Sequence, residues 1–242
     1  MSTSPEGFAR RIDRLKRDIA DQATRARSLI DDAVMAAFDR DAQAADRVIK
    51  LDDEIDQVDV QIEVDAVRII ADATCDEASL SDRQVRTLLT IVKVNNDLER
   101  IADLGVEMAK RVGALRDGGD IPPTMRVMAY SVIGIMRDAC TALDRGDPDL
   151  AHITLRAEDA VENFRAALLH EAEQKVNSGE ITANFAFFLN GITAQLFMIA
   201  DHCTNIAEQV IYLTTGSIVR HAEEGWVEHP MTRQRGPENP PA

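Results

Sequence analysis

Ile91-Val92-Lys93-Val94-Asn95-Asn96-Asp97-Leu98-Glu99-Arg100-Ile101-Ala102-Asp103-Leu104-Gly105-Val106-Glu107-Met108 places its seam positions at 91, 94, 98, 101, 105 and 108. Steps of three and four put these residues on one face of a helix, in the pattern of long, slightly supercoiled neighbours. Five other stretches repeat it. They run through Phe8, Ile12, Leu15 and Ile19; through Val48, Leu51, Ile55, Val58 and Ile62; and through Met125, Met128, Val132 and Ile135. The last two run through Leu150, Ala157, Val161 and Phe164, and through Phe185, Leu189, Ile192, Leu196, Ile199 and Cys203. Only 4% of the residues are aromatic, and short alternating β-branched runs are missing, so strands are not expected.

The breaks between these stretches are short: Asp39-Arg40-Asp41, about residues 75–81, Asp117 to Pro123, Gly146-Asp147-Pro148 and Asn177-Ser178-Gly179. Short connections make successive helices antiparallel. The Gly118-Gly119…Pro122-Pro123 break divides the chain into three helices and three helices. The halves also read as copies. Ala37-Phe38-Asp39-Arg40-Asp41 matches Ala142 to Asp147 with one insertion, and Leu98 to Asp103 aligns with Leu196 to Asp201. The expected fold is all-α, two tandem antiparallel three-helix bundles of six long helices. Its repeats would span residues 6–116 and 122–221, followed by a frayed, flexible tail at 222–242.

The 242 residues carry 27 Lys plus Arg against 42 Asp plus Glu, a net charge of −15. Such a surface repels nucleic acid and anionic lipid headgroups, so neither is expected as a partner. The sequence has no run of 18 apolar residues and no apolar signal core near Met1, which predicts a cytoplasmic protein without membrane insertion. Cys75, Cys140 and Cys203 form no C-x-x-C and read as reduced thiols. Neither G-x-x-x-x-G-K-[ST] nor G-x-S-x-G occurs, and no histidine follows a glutamate at E-x-x-H spacing. Nucleotide hydrolysis, serine hydrolysis and di-iron redox chemistry therefore have no support.

Carboxylates carry the one chemical signal. On the third helix Glu99 and Asp103 lie together, roughly 120–160° round from the seam. On the second, Asp52, Asp56, Asp59 and Glu63 form a stripe about 60–120° from its seam in the same sense. Antiparallel neighbours displaced alike flank one groove. With a turn centred near residues 77–78, Asp52 stands level with Asp103 and Asp56 with Glu99. Crowded carboxylates repel, and a bound hard cation with oxygen ligands removes that repulsion. A solvated acidic face, with Arg100 and Lys93 as counterions, accounts for the same spacing.

Val94 to Asp103, Ile199 to Leu213 and the ending Gly216-Ser217-Ile218-Val219-Arg220-His221 closely resemble the signature helices of the PhoU family, and the resemblance covers about residues 8–221. It implies a duplicated three-helix bundle with a repeated E(D)-x-x-x-D motif that binds clusters of iron or other cations. It further implies a cytoplasmic, non-enzymatic, homodimeric negative regulator of the phosphate-starvation response. Such a regulator links a phosphate ABC transporter ATPase to a sensor histidine kinase. Carried over, the first metal site is Glu99 and Asp103 with Asp52, Asp56, Asp59 and Glu63 opposite. The second repeat keeps Asp201, with Glu158 and Glu162 in the facing slots. Phe197 stands where Glu99 does, and Arg165 and Leu169 replace Asp59 and Glu63. One strong site and a weak or lost second one are expected. His202 and Cys203 read as structural, and Phe185 as core. The open alternatives are a metal-dependent bundle enzyme, a metal-storage protein, or an accessory of another phosphate carrier.

Overall fold

The computed structural model describes residues 5–75, 79–114, 119–222 and 225–230. It contains α1 (Pro5–Asp39), α2 (Ala42–Cys75), α3 (Asp82–Ala114), α4 (Pro123–Arg145), α5 (Pro148–Arg156), α6 (Glu158–Asn177) and α7 (Ala183–Thr215). A hairpin of β1 (Ser217–Ala222) and β2 (Gly225–Pro230) follows. The first bundle is α1–α3, and the second is α4, α5 with α6, and α7. The two join along α3 against α7 and α1 against α4. One apolar core runs through both, built on the seam residues Ile12, Ile55, Leu98, Met128, Leu196 and Ile199. The expected all-α architecture of paired three-helix units is what the chain adopts.

The helix ends follow from local chemistry. Asp41 accepts from the backbone N–H groups of Gln43 and Ala44, which caps α2. Ser81 and Gln84 close a reciprocal capping box at the start of α3. Pro123 opens α4, and Gly146, with φ of 60°, ends it in the left-handed region where a side chain would be strained. Asp147 then caps α5 through the N–H groups of Asp149 and Leu150.

The structure departs from the sequence reading in three places. The fifth helix is two segments. At Ala157 the backbone N–H bonds to the carbonyl of Thr154, three residues back, in place of the α-helical bond. The bend gives each segment its own burial. Ala151 and Leu155 cover a small end cluster with Val210, Ile211 and Val219, whereas Val161 and Leu168 join the main core. Second, part of the segment expected to fray is strand: Ala222 ends β1 and Gly225–Pro230 form β2, with Val219 paired to Glu228 and His221 to Trp226. Val219 is buried and Trp226 packs on the end cluster, so burial holds this hairpin. Third, Leu51 is exposed and leaves the second seam. The turn centre near residues 77–78, the end of the first repeat at 115–116, Asp117-Gly118 of the central break and residues 231–242 of the tail lie outside the described residues.

By length and composition α7 is apolar enough to cross a membrane, but more than half of its apolar window is buried. It contacts α3, α4, α5, α6 and β1, and that position explains its composition. Phe185, Phe188 and Cys203 are buried along it, whereas Phe187 is 72% exposed.

Candidate metal centre

The groove between α2 and α3 brings the first six carboxylates together. Its register is fixed by Asn95 on α3, whose Nδ2 donates to the backbone carbonyl of Asp59 (3.0 Å) and to its Oδ1 (2.6 Å). That contact sits within one residue of the expected level pairing. The electrostatics agree. Asp52 has its pKa pushed up to about 6, first by burial and then by the neighbouring charges of Asp56 and Asp103. Burial also raises Glu99, with Asp103, Asp59 and Asp56 adding to it and Arg100 opposing. Asp59 is raised by burial, Glu63 and Asp56, against the hydrogen bond from Asn95. Each carboxylate of the set is therefore felt by others across or along the groove.

Cations nearby are local and exposed. Arg100 lies 3.5 Å from Glu99 and 3.8 Å from Asp103, and Lys110 bonds Glu107 at 2.8 Å. Exposed pairs of this kind offset little of the repulsion. Among the described residues no three Asp, Glu, His or Cys side chains are arranged to hold a metal ion as they stand. Like charges splay, and closing the set round an ion takes side-chain rotation. The donor set is hard oxygen throughout, with Asp52, Asp59, Glu99 and Asp103 half-buried and Asp56 and Glu63 exposed, which suits a hard cation. Asn95 Oδ1, buried and without a hydrogen-bond partner among the described residues, adds a neutral oxygen beside it. Asn95 was not singled out from sequence. Its place about 80° from the seam, on the groove side, is the available signal.

The second groove, between α6 and α7, is built differently. The Arg165 guanidinium pairs with Glu162 (3.1 Å) and stacks on the Phe197 ring, 4.4 Å from its centroid. The one arginine thus neutralises a carboxylate and covers the residue that replaces Glu99. Asp201 is exposed on α7. His202 turns away from a ligand role: its Nδ1 is 2.9 Å from Asp97 Oδ1, an oxygen that also accepts from Asn205 Nδ2 at 3.3 Å. Asp97 is nearly buried, and this trio ties α3 to α7 between the bundles.

The pH dependence of stability follows from Asp52. A carboxyl whose folded pKa lies above its unfolded value near 3.8 contributes stability that is full below that value and lost as pH rises through about 6. In chelated protein, Asp52→Asn should therefore gain stability over wild type progressively from pH 4 to 6.5. Paired thermal melts across that range measure it, and a constant difference between the two proteins would disagree.

The PhoU domain family model matches the chain twice, at residues 19–112 and 125–210, once in each bundle. The chain belongs to the PhoU family. A PhoU homolog of Pseudomonas aeruginosa, described as a phosphate-specific transport system accessory protein, is 30% identical over 210 residues, 86% of this chain and 85% of that one. PhoU homolog 1 of Thermotoga maritima, described in the same words, is 27% identical over 221 residues, 90% of this chain and 93% of that one. The crystal structure of PhoU from Pseudomonas aeruginosa superposes with a TM-score of 0.79 at 27% identity, covering 86% of this chain and 99% of its own. PhoU from Streptococcus pneumoniae gives 0.81 at 21% identity, over 88% and 99%, a likeness of fold.

Proposed function

We propose that the chain is a cytoplasmic regulator of phosphate uptake and signalling. In this reading it is a metal-binding adaptor between a phosphate ABC transporter ATPase and a sensor histidine kinase, restraining the phosphate-starvation response. Family membership through both repeats supports the phosphate-transport setting, since the relatives are described as accessory proteins of that system. The observation that carries the metal role is the convergence of Asp52, Asp56, Asp59, Glu63, Glu99 and Asp103 on one groove, where the carboxyl pKa values of Asp52, Asp59 and Glu99 are raised. Iron or another hard cation bound there supplies positive charge that rigidifies the α2–α3 pair. The role is regulatory rather than catalytic, and the protein acts as a homodimer.

The acidic surface, net −15, favours basic patches on both partners and makes association rates fall with salt. Affinity capture at low salt, on metal-loaded protein, should retain the transporter ATPase or the kinase, with retention declining as salt rises. Retention of neither would refute the adaptor role.

A further inference from the structure

Where the two bundles meet, α1 and α3 from the first and α4 and α7 from the second enclose a pocket of about 290 Å³. Its wall includes Lys16, Arg83 and Arg145 against a single carboxylate, Asp144. In a chain with 15 more acids than bases, three cations around one concavity reverse the local sign. Lys16 pairs with Asp13 at 3.3 Å, an exposed contact one turn away that holds it weakly. Arg83 and Arg145 make no ion pair with an acid among the described residues.

The floor adds an independent observation. Thr90 is 0% exposed, lines the pocket, and its hydroxyl has no hydrogen-bond partner among the described residues. Buried helical threonines elsewhere, Thr87, Thr154 and Thr193, donate to the carbonyl four residues earlier. Thr90 does not, and a buried hydroxyl left unpaired is destabilising unless something else takes its proton. Three helix ends meet at the pocket, the N-terminus of α3 and the C-termini of α4 and α7. Arg83 lies in the first turn of α3, the positive end of that helix. Of the last four carbonyls of α4, those of Leu143 and Ala142 accept from the N–H groups of Gly146 and Asp147, and in α7 that of Tyr212 accepts from Gly216.

We propose that this pocket binds a phosphoryl group, free as inorganic phosphate or at the end of a larger molecule. Two guanidinium forks and an ammonium match a doubly charged tetrahedral oxyanion, and Thr90 gives its hydroxyl proton to one oxygen. Because both bundles supply the walls, the occupant clamps α1 and α3 to α4 and α7. The site is separate from the carboxylate groove and does not depend on metal there.

Isothermal titration of chelated, metal-free full-length protein with inorganic phosphate, and separately with adenosine monophosphate, tests it. Phosphate should bind saturably, and Arg83→Ala/Arg145→Ala should weaken binding about tenfold or more. Thr90→Val, which keeps the shape, should weaken it about threefold or more, and Glu99→Ala/Asp103→Ala should leave it unchanged. Tighter binding of the nucleotide with the same arginine dependence also supports the site and assigns it to an esterified phosphate. No saturable binding of either probe, equal response to acetate at matched ionic strength, or undiminished affinity in the arginine variant would overturn the proposal. Circular dichroism checks each fold, and Arg83→Gln/Arg145→Gln replaces the alanine pair if that pair fails to fold.

Discussion

Alanine at both Glu99 and Asp103 is expected to strip most of the bound metal from the protein, whereas Asp201→Ala is expected to remove little. The asymmetry follows from what faces each residue. Across from Glu99 and Asp103, four carboxylates on α2 share one groove, and burial, with the charges of Asp56 and Asp103 adding to it, pushes the pKa of Asp52 up to about 6. A hard cation needs several oxygens, and each lost carboxylate removes a ligand and a compensating charge. Opposite Asp201 the same space holds an arginine paired with Glu162 and stacked on Phe197. A third variant separates ligand loss from that plug: Arg165→Glu/Phe197→Glu restores two acids and should raise metal content in the second repeat. Elemental analysis after dialysis reads all three. Equal losses in the Glu99→Ala/Asp103→Ala and Asp201→Ala proteins would mean that the second groove recruits other ligands.

The second large effect concerns how closely α1 and α3 approach. A Cβ at Gly105 would stand 2.4 Å from Leu29 Cδ2 and 2.8 Å from Ile30 Cδ1, both carried by fully buried side chains. Gly105→Leu must push α1 away or force these residues off their rotamers. Overpacking typically costs about 1–3 kcal/mol, and the gain in helix propensity, about 0.8–1 kcal/mol, offsets only part of it at a site this tight. A net loss of about 1–2 kcal/mol lowers Tm by roughly 2–8 °C in a chain of this size. Gly134, in α4, is the control, because a Cβ there meets nothing within 4 Å. Gly134→Ala should stabilise by about 0.5–1 kcal/mol. Denaturant titrations of both variants measure the contrast, and a stabilised Gly105→Leu protein would mean the helices are less closely packed than described.

The residues that made the fold legible are those whose period leaves one solution. From Ile91 to Met108 the three-four alternation could only be a helix with one apolar face, and the seam of α7 shows its helix as clearly although that helix is buried on more than one side. The break at Ala157 was not legible, because no proline or glycine marks it and the seam continues across it. Its cause is tertiary: α5 and α6 cover different apolar clusters. The hairpin was missed because Gly225 and Pro230 read as breakers, and what holds β1 and β2 is burial of Val219 and packing of Trp226 on the end cluster. In the groove, spacing placed the carboxylates and the α2–α3 turn fixed their levels to within a residue, as the Asn95–Asp59 hydrogen bond shows. The bond of His202 to Asp97 could not be foreseen in that way. The two lie on helices of different repeats, and only the packing of α3 against α7 brings them together.

Anomalous diffraction from crystals grown with iron or manganese tests most directly whether metal chemistry is concentrated in the first repeat. The expected result is a strong peak between α2 and α3, within ligand distance of Asp52, Asp56, Glu99 and Asp103, and a weak one or none between α6 and α7. Peaks of equal height in the two grooves, or a peak only beside Glu158, Glu162 and Asp201, would contradict it.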